Sequence, residues 1–455
     1  MYKSFLIAAA LIALLVTAAS YSDKKPWVNQ PLAEGTAQGD MVLGTSLSDA
    51  STSNYSIVVA VTMSGGGTRA AAFAYGVLEG LRETKIDWHA QKTTLLKEID
   101  LISGVSAGSA LATYFTAFGP DKLSSFKTDF LYANFQGSLI AATLEPTTLY
   151  NLTSPWYGRG DLLAEKFNTL YQHKTFADLP KRPRLLVTAT DLSRSTSFEF
   201  TREQFDLLCS DLQSVPLGFA VAASSSVPAV FSPLTIKNYS SGKDCPQRAT
   251  LLNKQQTTDS YRIRELYRHN LSFLDTNSRP FIHLVDGAAA DNLGLRSIID
   301  RASSGGSISA SVQSAPPGSI HKLIFIVINA EIDLLDEVDA TDKTPGMGDA
   351  INALRISKGL QASAETMEML TQAASTWHTE LEKSGSDLPQ FAPDSELHVI
   401  KISLRDVPDQ TIRNKLMKIA TALYLPRTEV DALIQAGKQT LYSSPQYQAL
   451  MQSFK

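Results

Sequence analysis

Cysteine is scarce in this chain: 455 residues hold two, Cys209 and Cys245. They lie far apart and no histidine cluster accompanies them, so no metal-ligand spacing is present, and neither a metal nor another cofactor is expected. Two such cysteines admit one disulfide or two buried thiols. An excess of charge is missing too. The 41 basic residues stand against 45 acidic ones, a net charge of -4, which removes the bulk electrostatic case for nucleic acid and for attraction to an anionic membrane. The seven histidines include none in a glycine-flanked loop at a strand end, where a catalytic imidazole would be sought.

The N-terminal apolar run, Phe5 to Val16, falls short of the roughly 20 residues of a membrane span. With Lys3 before it and the small residues "TAAS" at 17–20 after it, residues 1–20 have the outline of a secretory signal peptide. The alternative is an uncleaved anchor extending to Ala19. No cysteine follows the run, so a lipoprotein anchor is not expected. An exported protein follows: periplasmic, outer-membrane-associated or secreted.

The apolar fraction is 44%, enough for a proper core. Residues 21–55 are a polar, Ser/Thr/Gly-rich leader. From Ser56, strand patterns alternate with helical ones: "SIVVAVTM" (56–63), "IDLISGVS" (99–106), "RLLVTATDL" (184–192), "FIHLVDGA" (281–288) and "KLIFIVINAEI" (322–332). Such alternation predicts an α/β sandwich around a largely parallel sheet. Residues 238–279 read as a polar insertion over one end of it, and 303–319 as a flexible loop. Residues 336–455 are mainly helical, over 348–382 and 409–442, with one further strand at 396–404.

Two glycine motifs stand at strand-to-helix junctions. In "SGGGTR" (64–69), Gly65, Gly66 and Gly67 leave backbone N–H groups aimed at one spot, where the helix dipole favours an anion. Neither a phosphate-binding nor a dinucleotide-binding glycine pattern is matched. In "SGVSAGSA", Gly104, Ser106 and Gly108 form G-x-S-x-G between a strand and a helix, a nucleophile elbow in the right context. The two motifs together make the anion a transient one, the tetrahedral intermediate formed at Ser106. Asp286 closes its apolar strand with Gly287 next, where a carboxylate can accept the serine proton. A Ser-His-Asp arrangement using His321, His378 or His398 is the competing reading. A catalytically dead lipid-binding protein on the same fold is a third.

The chain resembles the patatin-like phospholipase family. The likeness rests on "SGGGTR" (64–69), "GVSAG" (104–108), "KTFADLPKRPRLLVTATDL" (174–192), "ASSSVPAVFSPL" (223–234) and "DGAAADNLG" (286–294). The blocks span about residues 56–300, and the resemblance implies a patatin-like three-layer α/β catalytic domain, taken as 56–335; no block matches in the mainly helical region 336–455. It implies hydrolysis of lipid acyl esters, of phospholipase A or lysophospholipase type, on a lipid substrate at a membrane or micelle interface. Carried over residue by residue, Ser106 matches the nucleophile, Asp286 the base, and Gly65, Gly66, Gly67 and Arg69 the oxyanion loop. Ala70 and Ala288 stand where the family more often has glycine. The stretch 130–152, "FLYANFQGSLIAATLEPTTLYNL", is either core or the wall of an acyl channel. Oligomeric state is not readable.

Overall fold

The computed structural model describes residues 21–33, 44–47, 56–88, 91–241, 253, 258–332, 342–383 and 388–454. The signal-peptide segment 1–20, much of the polar leader and Cys245 lie outside the described residues. Strand β1 (Ile57–Met63) is buried along its whole length, as expected of a short, β-branched run with no polar face. Alternate residues leave it on opposite sides. Ile57, Val59, Val61 and Met63 enter one core, and Val58 and Ala60 enter another.

The remaining strands are β2 (Lys85–Trp88), β3 (Gln91–Thr94), β4 (Ile99–Val105), β5 (Arg184–Asp191), β6 (Thr196–Glu199), β7 (Leu234–Lys237), β8 (Phe281–Val285), β9 (Ile320–Asn329) and β10 (Phe391–Ser403). The main sheet has the order β10-β9-β1-β4-β5-β8-β7, with β6 also on β5. Its first five strands are mutually parallel, whereas β6, β7 and β8 pair antiparallel. A small β2-β3 hairpin stands apart.

Helices cover both faces. On one lie α1 (Gly67–Glu83) and α2 (Ala107–Phe118), which contribute Phe73, Val77, Leu78 and Leu111 to the first core. Three more helices, α3 (Phe135–Thr143), α4 (Arg159–Leu170) and α5 (Leu217–Ser225), also contribute side chains to that core. The second core lies under α7 (Arg296–Ser304) and α8 (Met347–Lys383). There Ile298, Leu370 and Trp377 are buried, with Trp377 stacked at 5.5 Å on Phe325. Between β8 and α7 runs the short helix α6 (Ala288–Asp291). The result is the three-layer α/β sandwich expected from the alternating pattern.

Two expectations need correction. Residues 303–319 are not a free loop, because Ile308 and Val312 are fully buried in the second core. The single helix expected over 409–442 is two, Gln410–Leu416 and α9 (Arg427–Ser443). Pro426 disfavours helix at the residue before it, and the non-helical stretch 417–425 packs against the start of α1 instead, where the Ala422 carbonyl accepts from the Thr68 N–H at 2.8 Å. The region beyond 336 is built into the same fold: β10 extends the sheet and α9 packs along α1.

Candidate active site

β1 and β4 are parallel neighbours with Met63 level with Gly104. The glycine loop and the elbow therefore leave the same sheet edge side by side. Ser106 occupies the tight turn with φ 52° and ψ -127°, a left-handed position uncommon for any residue but glycine and typical of a nucleophile held above a sheet. Gly104 and Gly108 make the turn possible. A Cβ on Gly104 would lie 2.5 Å from the Gly108 carbonyl oxygen, and one on Gly108 would lie 2.6 Å from that of Met63. The Ser106 N–H donates to Ser224 Oγ at 2.8 Å, and Ser224 in turn donates to the Thr188 carbonyl at 2.6 Å.

Asp286 reaches the elbow because β8 runs against β5. Past the pairing of Val285 with Thr190 the chain continues back along β5, and Thr188 of β5 is itself level with Val105 of β4. The Asp286 N–H donates to the Ser226 carbonyl at 2.9 Å and the Gly287 N–H to that of Ser224 at 3.1 Å. Thr190 Oγ1 donates to the Asp286 carbonyl at 2.8 Å, and the Ala288 N–H donates to Asp286 Oδ1 at 2.9 Å. The carboxylate is thus fixed by its own backbone and is buried, 6% exposed.

Ser106, Asp286, Gly66 and Gly67 border one cavity of about 630 Å³, a volume usual for a lipid-sized ligand site. Its walls are largely apolar, with Leu139, Ile140 and Leu144 on one side and Val227, Val230 and Phe231 on the other. The stretch 130–152 is therefore wall as well as core. Gly66 and Gly67 have φ 138° and 66°, and they stand at the start of α1, where no intrahelical carbonyl accepts the N–H groups.

Gly65 and Arg69 do not border the cavity. The Gly65 N–H donates to Asn292, at 3.1 Å to Oδ1 and 3.3 Å to the main-chain oxygen. The buried Arg69 guanidinium donates to the carbonyls of Ala330 at 3.2 Å and Ile419 at 2.6 Å. Both residues brace the loop from behind, which narrows the cavity-facing donors to Gly66 and Gly67. Ala70 and Ala288 fit without displacing them: Ala70 is buried in α1, and Ala288 opens α6 on the cavity wall.

Among the described residues no histidine borders the cavity. His321 is the second residue of β9, next to Lys322, which is level with Ile57, so it stands about 20 Å from the elbow edge at strand rise, and it contacts Asp394 at 2.9 Å. His398 on β10 contacts Glu396 at 2.9 Å. His378 lies in α8.

Motif reading missed Ser224, Asn292, and the 421–423 segment that closes one side of the cavity. Ser224 and Asn292 fall inside quoted blocks, which was their only signal. Among the described residues no group of three His, Cys, Asp or Glu side chains is placed to hold a metal.

No curated protein matches this sequence. Among solved structures, human GIVD cytosolic phospholipase A2 aligns with a TM-score of 0.42 and 11% identity over 88% of this chain and 60% of that one. VipD from Legionella pneumophila aligns with a TM-score of 0.31 and 11% identity over 97% and 73%. The family model described as patatin-like phospholipase matches residues 61–299, more than half the chain, and takes in both glycine motifs, Ser106 and Asp286. The chain belongs to the patatin-like phospholipase family.

Proposed function

We propose that this protein is an exported serine acyl hydrolase that cleaves lipid acyl esters, of phospholipase A or lysophospholipase type, through a Ser106/Asp286 dyad. The observation that carries the reading is that the strained Ser106, the buried Asp286 and the Gly66–Gly67 turn border the same apolar cavity. Ser106 Oγ attacks the acyl carbonyl while Asp286 accepts its proton. The oxyanion of the tetrahedral intermediate faces the Gly66 and Gly67 N–H groups, donors of a kind worth about 3 to 4 kcal/mol each. Asp286 returns the proton to the leaving alcohol. It then takes a proton from the water that attacks the acyl-enzyme and passes it to Ser106 Oγ as the fatty acid leaves.

Docking at a membrane or micelle interface is supported by exposed apolar residues, some on the cavity wall and some on the short helix Pro146–Asn151 beyond it. Ile140 and Leu144 are 54% and 65% exposed, and Leu149, Tyr150 and Val230 about half exposed. Clustered exposed apolar surface of this kind suits a lipid surface. Export is supported by the N-terminal pattern and by Cys209, which is disulfide-bonded, a state favoured in oxidising compartments.

A serine-directed alkyl phosphonate tests the reading. Incubated with the mature chain and mapped by peptide mass spectrometry, it is expected to modify Ser106 stoichiometrically and to leave Ser106→Ala unmodified. A folded parent that stays unmodified moves the assignment to a non-catalytic lipid-binding protein.

A further inference from the structure

The glycine loop is held by a buried polar chain that begins in the C-terminal half of the protein. Asn292 follows α6, is 4% exposed and accepts from the Gly65 N–H through Oδ1 at 3.1 Å. Its Nδ2 donates to Glu331 Oε1 at 2.7 Å and to Ser363 Oγ at 3.2 Å. Ser363, on α8 and 2% exposed, also donates to Glu331. The second carboxylate oxygen accepts from Asn329 Nδ2 at 3.1 Å, and the Glu331 N–H donates to Asn329 Oδ1 at 3.0 Å.

We infer that Asn292, oriented by Glu331, is a positioning residue that sets the geometry of the Gly66–Gly67 donors. The argument turns on what each group can do. An amide side chain has one accepting and one donating end, whereas an ionised carboxylate only accepts. Glu331 therefore draws the Asn292 NH₂ towards itself and turns Oδ1 to the Gly65 N–H. A flipped amide would set donor against donor at Gly65, leaving its N–H only the longer 3.3 Å bond to the Asn292 main-chain oxygen, and would turn the amide oxygen against the Glu331 carboxylate. The fit is close: a Cβ on Gly65 would lie 2.8 Å from Oδ1. Glu331 and Ser363 lie beyond the family match at 61–299, so this part of the chain sets oxyanion geometry without touching substrate.

The inference rests on the acyl hydrolase reading, and one experiment separates the two. Parent, Ser106→Ala, Asn292→Ala, Glu331→Ala, Glu331→Gln and the double variant Asn292→Ala/Glu331→Ala are compared on p-nitrophenyl butyrate. Phosphonate labelling rates are measured alongside, and all rate constants are expressed per titratable active site. Asn292→Ala is expected to lower both kcat and the labelling rate constant by about tenfold or more, the scale of a small misplacement of catalytic groups, with little change in KM. Glu331→Ala falls in the same direction. Glu331→Gln recovers part of the rate: its amide oxygen still accepts at the Oε1 position, while its NH₂ faces the Asn329 amide that donated to the second carboxylate oxygen. The double variant is no slower than Asn292→Ala.

Parent-like rate constants per site in Asn292→Ala overturn the inference, as does a Glu331→Gln variant as slow as Glu331→Ala, or a change confined to KM. If Asn292→Ala does not fold, the two Glu331 variants carry the same test. A parent with no Ser106-dependent labelling or turnover overturns the hydrolase reading and this inference with it.

Discussion

A methyl group at Gly287 would lie 2.1 Å from the Thr188 carbonyl oxygen and 3.0 Å from Val105 Cγ1. The backbone φ at Gly287 is an ordinary -67°, so it is close approach that requires glycine there. That approach brings Asp286 back along β5 to the elbow. Gly287→Ala is expected to cost about 1 to 3 kcal/mol of stability, the usual range for overpacking, and to lower kcat by moving Asp286. Urea unfolding and ester turnover check both. At this scale the sequence was legible where function is local. G-x-S-x-G and the glycine loop each sit within a few consecutive residues, and the Asp-Gly pair ends a recognisable strand. Ser224 and Asn292 were not legible, because their roles are hydrogen bonds to partners 118 and 227 positions away, and nothing in a linear pattern marks such a pair.

Among elements, α3 and the short helix after it, Pro146–Asn151, divide the stretch 130–152 between inside and outside. Phe130, Leu131, Phe135 and Leu139 are buried, whereas Ile140, Leu144, Leu149 and Tyr150 face outward. Leu149 and Tyr150 do not border the cavity, which makes them a clean test of docking. The double substitution Leu149→Asp/Tyr150→Asp is expected to weaken binding to phospholipid vesicles by about tenfold or more, since burying one such side chain contributes about 1.5 to 3 kcal/mol. Co-sedimentation with vesicles measures it, and unchanged binding removes this face from the docking surface. Strands were the most legible elements, because full burial on both faces leaves uninterrupted apolar runs. The stretch 417–425 was the least legible. Its composition suits a helix, yet Pro426 interrupts it, and the Ile419 and Ala422 carbonyls accept from Arg69 and Thr68 of α1. Tertiary hydrogen bonds decided the outcome there, over local propensity.

For the molecule as a whole, the sandwich carries a buried histidine that does not border the cavity. His269 lies 3.0 Å from Thr196 Oγ1, 3.9 Å from Asp191 and against the Phe273 ring. Burial pulls its pKa down from 6.5 to about 4; Asp191 opposes that shift, and Arg279 and Arg194 add to it. Between those values the unfolded chain binds a proton that the folded chain refuses. The contribution of His269 to stability is complete above about pH 6.5 and is lost as pH falls through about 4. Relative to His269→Gln, urea midpoints of the parent are expected to fall across that window; carboxylates whose pKa burial raises, Asp100 and Glu199 among them, titrate in both proteins and cancel in the difference. Because His269 does not border the cavity, ester turnover at neutral pH should survive this substitution in proportion to the folded fraction. The overall architecture was largely readable from alternating strand and helix patterns. The antiparallel course of β8, which delivers Asp286, was not, since strand direction depends on pairing between distant segments.

The most direct test of the central claim is fatty acid release from phosphatidylcholine and lysophosphatidylcholine vesicles by the purified mature chain, beside Ser106→Ala and Asp286→Ala, without added metal. The account predicts release by the parent, and loss of it in both variants with unchanged thermal unfolding. Release that survives either substitution would contradict the Ser106/Asp286 dyad.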